Sequence, residues 1–166
     1  MLRRLAAAVA GIVLAGAGLG AAPLTAAAAD SGQALCGFNG AGTVAPPVNY
    51  QERAVTYQFT GTLSCVSSDS TLNSGKVTAL GSGSIGCFRG DHSAVLQVAW
   101  NNGKSSTLKL HFTDVLAALV GNGTVSEGEF AGETVNGLMF FYSPEALNCA
   151  QVGIGAASLS GGFQIG

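Results

Sequence analysis

From His92 to Thr113, apolar and polar side chains alternate with a period of two. His92, Ala94, Leu96, Val98 and Trp100 interleave with Ser93, Val95, Gln97 and Ala99. After Asn101, Asn102 and Gly103, the return segment interleaves Leu108, Leu110 and Phe112 with Thr107, Lys109, His111 and Thr113. This is the signature of two strands joined by a turn. The pattern also selects a register. A two-residue turn at Asn102-Gly103 would set Trp100 against Ser105 and Leu96 against Lys109, mixing apolar and polar side chains on one face. A three-residue loop, Asn101 to Gly103 with Gly103 left-handed, sets Leu96 against Leu108, Ala94 against Leu110 and His92 against Phe112. The apolar sets then coincide, and a slip of one residue would turn one of them to water.

The same reading extends along the chain. Ala54–Val66 is a clean strand, with Val55, Tyr57, Phe59, Leu63 and Cys65 on one face and Thr56, Gln58, Thr60, Thr62 and Ser64 on the other. Lys76–Cys87 is another, directing Val77, Ala79, Ile85 and Cys87 inward; Gly81, Gly83 and Gly86 weaken it and point to a bulge or close backbone packing. Val115–Val125 is read as a strand with a short helical turn over Val115–Leu119 and with Asn122-Gly123 in mid-strand. Ser126–Glu129 is read as a hairpin loop, Phe130–Tyr142 as the returning strand, Ser143–Asn148 as a loop and Gln151–Ile165 as the last strand. Cys36–Asn49 carries Pro46-Pro47, which forbids a central strand and leaves it an edge strand at best. Seven principal strands joined by short turns predict an all-β fold, an antiparallel immunoglobulin-like β-sandwich.

The ends of the chain add an address. Met1–Arg4 is basic, Leu5–Leu19 is apolar, and Ala27-Ala28-Ala29 precedes Asp30, which together read as a cleaved signal peptide over residues 1–29 and a single domain over residues 30–166. A transmembrane anchor is the alternative, but the apolar run is short and ends in small residues. The expected location is therefore secreted and extracellular. Without Arg3 and Arg4, five basic residues face nine acidic ones, a net charge near −4. These charges are scattered and form no basic stripe, which argues against nucleic acid and anionic membranes as partners.

Cys36, Cys65, Cys87 and Cys149 form an even set in an exported chain and predict two disulfides. None of the close pairs typical of a metal site is present, so no metal is expected. If Cys36–Val48 turns and runs back along Ala54–Val66, Cys36 meets Cys65, which leaves Cys87 with Cys149. The alternative joins Cys65 to Cys87. A hairpin would hold those two at opposite ends, beyond the roughly 7 Å between α-carbons that a disulfide spans; that pairing needs their strands in different sheets.

Candidate chemistry is sparse. Ser93 lies opposite His111 in the preferred register, with Asp91 nearby, but a strand serine has no nucleophile elbow and no evident oxyanion donors. His92, opposite Phe112, reads as a partly buried edge residue. Glu127, Glu129 and Glu133 cluster around a turn as ordinary solvated carboxylates. Asp69, Asp91 and Asp114 are assigned to different loops without a calcium-loop pattern. No catalytic, cofactor-binding or metal-binding residue is assigned. Trp100 shares a face with Val98, Leu96 and Leu108 and reads as core, with an aromatic platform as the alternative. Three consecutive aromatics, Phe140-Phe141-Tyr142, cannot all point inward on a strand. With Phe140 and Tyr142 inward, Met139 and Phe141 form a candidate contact patch.

Several segments carry a resemblance: Gly61-Thr-Leu-Ser-Cys65, Gly83-Ser-Ile-Gly-Cys87, Trp100–Thr107, Gly123–Gly132 and Leu147-Asn-Cys149. In that order they resemble a group of small secreted actinobacterial proteins without an assigned activity. Cys149-Ala-Gln-Val-Gly-Ile154 is similar to a segment of neocarzinostatin-type apoproteins, seven-strand sandwiches that carry a chromophore, although the cysteine spacings depart from theirs. The expectation is a secreted, non-enzymatic binding or structural interaction protein, associated with the cell envelope, whose partner is an extracellular protein, an envelope component or a small ligand, with no cofactor. The alternative is a small-molecule carrier, which would show a deep apolar cleft.

Overall fold

The computed structural model describes residues 32–166. The predicted export segment over residues 1–29 and its cleavage before Asp30 lie outside the described residues. Eight strands follow one another: β1 Ala34–Val48, β2 Arg53–Ser67, β3 Ser74–Ile85, β4 Arg89–Trp100, β5 Ser105–Val115, β6 Ala118–Gly128, β7 Thr134–Tyr142 and β8 Ile154–Ile165. A single 3₁₀ turn, Ala146–Asn148, and a one-turn helix α1, Cys149–Val152, interrupt the last connection. Each strand pairs antiparallel with the next, and β1 pairs with β8, so the sheet closes into an up-and-down barrel.

The immunoglobulin-like sandwich is thus overturned, and the reason lies in β1. This segment pairs on both sides, with β2 from Ala34↔Ser67 to Ala45↔Thr56 and with β8 from Ala34↔Ile165 to Thr43↔Ala156. Its prolines do not block closure because they sit where the β8 ladder is already broken, between Thr43 and Val48. Missing amide donors cost nothing at such an irregularity. The segment expected to be an edge is the eighth stave, and no edge is left.

Other boundaries move as well. Val115 ends β5 and Ala118 begins β6, with a two-residue turn at Leu116-Ala117 in place of the helical turn. Leu116 adopts φ 57°, the left-handed conformation that a tight hairpin demands and that leucine gives no hint of. The next turn falls at residues 129–133, later than expected, with Phe130 at φ 63°, so β7 starts at Thr134. The Asn122-Gly123 pair is mid-strand, as read, facing His111 and Leu110.

Inward positions are mainly apolar and outward positions carry mainly hydroxyl and amide side chains. In β4, burial alternates residue by residue, with His92, Ala94, Leu96, Val98 and Trp100 inside. This is the reverse of a membrane-spanning barrel, whose apolar side chains face out. The two ends differ. At one, which we call the floor, Trp100, Phe130, Leu72, Leu108, Val125 and Ile165 fill the barrel. Trp100 is core, 4% exposed; its Nε1–H donates to Ser106 Oγ (2.8 Å), which donates to the Glu129 carbonyl (2.7 Å). Packing there is continuous with the disulfide Cys36–Cys65, which joins directly facing residues of β1 and β2.

The other end, the mouth, is formed by the β1–β2, β3–β4, β5–β6 and β7–β8 connections. The second disulfide, Cys87–Cys149, joins the β3–β4 connection to α1. In a ring of eight staves those two connections stand on opposite sides, so this bond straps the mouth across its diameter. Val48, Val55, Cys149 and Ile154 pack beneath it as a small roof. Both disulfides are the pairs expected, and Cys65 and Cys87 lie at opposite ends of the β2–β3 hairpin. Two disulfides fit an oxidising compartment such as the cell exterior.

Candidate functional site

Between floor and roof the barrel is not full. A cavity of about 100 Å³ remains. Its wall is apolar, including Phe38, Phe59, Leu96, Phe112 and Leu119, apart from three polar side chains: Tyr57 of β2, His92 of β4 and Asp114 of β5. These three touch. The Tyr57 hydroxyl lies 2.5 Å from His92 Nδ1. On its other side, His92 Nε2 lies 3.0 and 3.2 Å from the two Asp114 carboxylate oxygens. His92 is 4% and Asp114 8% exposed.

Local structure explains how the three meet. β5 continues its alternation one step past Phe112, which sends Asp114 inward, and the Phe112↔His92 pairing puts the histidine on the neighbouring stave. Tyr57 must reach across β3 to join them. It can because β3 carries glycine where a side chain would intrude: a Cβ on Gly81 would fall 2.2 Å from Tyr57 Cζ. Gly83, paired with His92, leaves the same clearance for the histidine's own Cα and Cβ. The glycines that weaken β3 as a strand are therefore seats for the site, the close packing that the sequence suggests. Rings hold the histidine in place. Phe112 stacks on it at 5.2 Å between centroids, and Tyr57 meets it edge-on at 5.1 Å.

For a neutral imidazole, the hydrogen-bond inventory sets the direction of each bond. An ionised carboxylate only accepts, so Nε2 carries the hydrogen and donates to Asp114. Nδ1 of that neutral ring then accepts from the Tyr57 O–H, which also lies 3.5 Å from the Ser93 carbonyl oxygen. Burial first, and the Asp114 carboxylate second, push the Tyr57 hydroxyl well above its ordinary value, so it remains a neutral phenol. The result is an oriented chain of donors, Tyr57 to His92 to Asp114.

Sequence reasoning placed Tyr57 on the inner face but did not join it to the others. His92 is wholly interior rather than an edge residue, and Asp114 belongs to a strand, not a loop. The signal was present: Asp114 keeps the parity of Leu110 and Phe112. The other histidine is outside. His111 Nε2 lies 3.1 Å from Asp91 Oδ1, and Ser93 faces His111 across the strands, all three exposed on the outer wall. Among the described residues, the Ser93 hydroxyl makes no hydrogen bond to His111. Glu127 is exposed, while Glu129 pairs with Lys104 at 2.9 Å, and no cluster of residues able to hold a metal occurs among the described residues.

The aromatic run is also reversed. Met139 is 7% exposed and, with Phe141, lines the cavity, whereas Phe140 and Tyr142 point outward. The cause is register: Leu138 and Phe140 continue the outward parity of Asn136, which faces Gln164 on the outer wall. Met139 and Phe141 thus lie on the inner wall and cannot form the expected outward pair. Comparison of the chain with protein-family models, with curated proteins and with solved structures finds no match, so the likeness to secreted actinobacterial proteins or to neocarzinostatin rests on the residues alone.

Proposed function

We propose that this is an extracellular binding protein whose barrel interior receives a small, largely apolar molecule. The observation that carries the reading is the polar triad in an apolar cavity. Burying Tyr57, His92 and Asp114 together costs desolvation that apolar residues of similar volume would avoid, and such replacements are often neutral or stabilising. A barrel needing only a core would be better served by leucine. Eight-stranded barrels are just wide enough to be filled by side chains or to hold one small ligand. An apolar cavity of about 150 Å³ takes up benzene, so about 100 Å³ limits the apolar body to roughly one small ring. The chain binds, orients and shields its ligand. Export ahead of disulfide formation, with residues 1–29 as the signal, belongs to the same proposal.

Methyl NMR tests it directly, since Met139 is the sole methionine among the described residues and lies on the cavity wall. Benzene or cyclopentane at millimolar concentration should shift the Met139 methyl and saturate, while outer-wall signals stay fixed. No saturable shift would dispose of the carrier reading.

A second reading, association with the cell envelope, is favoured by the asymmetry of the two ends. At the mouth, loop tips expose Tyr50, Phe88, Leu116 and Leu147, the last at 96%. At the floor the tips are polar, with Ser70, Thr71, Asn101, Asn102 and Lys104. An apolar rim of this kind suits the interfacial zone of a lipid surface. Cosedimentation with phosphatidylcholine vesicles that survives Leu116→Ser/Leu147→Ser would refute it.

A further inference from the structure

With His92 neutral, the hydrogen-bond chain in the cavity has every donor committed. The Tyr57 O–H is given to His92 Nδ1 and the His92 Nε2–H to Asp114. What remains unsatisfied is acceptor capacity: a second lone pair on the Tyr57 oxygen, and the carboxylate lone pairs of Asp114 beyond those taken by one N–H. No other side chain on the cavity wall offers a hydrogen-bonding nitrogen or oxygen. We infer that the site selects a ligand carrying a hydroxyl donor on a small apolar ring, a cyclic alcohol, and discriminates against the corresponding ketone. This rests on the carrier reading and specifies its ligand class.

The physical basis is the asymmetry between making and losing a buried hydrogen bond. An alcohol entering the cavity donates to the Tyr57 oxygen or the Asp114 carboxylate and loses little on leaving water. A ketone brings only an acceptor to a site made of acceptors, so its carbonyl is stripped of water and left unpaired, which costs more than an ordinary hydrogen bond is worth. The donor chain cannot simply turn around to serve it. In a neutral imidazole, reversal would put the hydrogen on Nδ1 and leave Nε2 facing a carboxylate with no proton between them, an arrangement that repels. Asp114 therefore sets the polarity of the whole chain, through His92, at the Tyr57 oxygen. It is a positioning residue for the preference as well as an acceptor.

Cyclopentanol and cyclopentanone test this, being nearly equal in size, with cyclopentane as the apolar reference. Titrations follow the Met139 methyl in the full exported chain. The alcohol should bind at least about fivefold more tightly than the ketone. Asp114→Asn, which brings an amide donor into the cavity, should reduce that preference towards unity. Nitrogen-15 NMR of the unliganded wild-type protein should find His92 as the Nε2–H tautomer. If the ketone binds as tightly as the alcohol, or if His92 is the Nδ1–H tautomer or carries both protons, or if Asp114→Asn leaves the preference intact, the donor rule is wrong and the carrier reading stands. If none of the three binds, the carrier reading falls and takes the donor rule with it.

Discussion

Gly81 lies against the ring of Tyr57, and any Cβ there would sit 2.2 to 2.5 Å from three atoms of that side chain. The tyrosine can cross β3 to His92 only because position 81 has no side chain. Gly81→Ala should therefore act as an overpacking substitution, costing about 1–3 kcal/mol. It should also displace the Tyr57 hydroxyl from His92. Urea denaturation measures the first effect, and a changed His92 nitrogen-15 shift reads the second. A variant of wild-type stability and unchanged His92 shift would mean that Tyr57 is not seated on Gly81.

Alkaline pH should expose the buried phenol. Burial and Asp114 raise the Tyr57 pKa in the folded barrel above that of the unfolded chain. The folded state thus holds the proton more tightly. The associated stabilisation is fully present below about pH 10, where unfolded tyrosine is still protonated, and is lost as pH rises from there towards the folded value. Stability of the wild-type protein should fall between about pH 10 and 11 more steeply than that of Tyr57→Phe. Parallel pH profiles for the two proteins would contradict the assignment.

At the mouth, Cys87→Ser/Cys149→Ser removes the strap between opposite connections. Loss of about 2–4 kcal/mol is expected. Hydrogen exchange should accelerate first in residues 143–153 and 86–88, while the floor stays protected. Uniform acceleration throughout the barrel would show that the bond supports the whole fold and not the mouth alone.

At the floor, Leu108→Ala should be more damaging than any change at the rim. Leu108 is fully buried among Trp100, Val125 and their neighbours, and its truncation should cost about 2–5 kcal/mol. Cyclopentanol affinity in the surviving folded protein should be unchanged, because Leu108 is not on the cavity wall. A matching loss of affinity would mean that floor and cavity are one packing unit.

Much of this architecture could be read from alternation alone. The β4–β5 register, with Leu96 on Leu108 and His92 on Phe112, followed from matching apolar faces around Gly103, which takes φ 84° in the structure. The Cys36↔Cys65 pairing followed from running one segment back along another. Closure did not, because Pro46-Pro47 speaks against a strand locally, and only the partner β8, over a hundred positions away, reveals that those prolines fall in a bulge. The site was half legible. Tyr57, His92 and Asp114 all keep inward parity, but ending β5 at Thr113 put Asp114 in a loop, and nothing in Leu116 announces the tight turn that makes room for two more residues of β5.

The pairing of β1 with β8 has a consequence for how the chain is made. Seven of the eight ladders join consecutive strands, but the eighth joins Ala34 to Ile165, the two ends of the described chain. Local hairpins form early and cheaply, whereas this one contact requires closing a loop that spans the whole domain. Until β8 arrives, β1 and β7 each keep an open edge of unpaired amides and carbonyls, the kind of template on which chains aggregate. The cavity cannot close before that moment either, since β1 and β8 supply adjoining parts of its wall, with Phe38 on one and Phe163 on the other. On the proposed carrier reading, ligand uptake is thereby confined to chains whose last strand has been delivered, and a truncation before Ile154 should yield an adhesive open sheet.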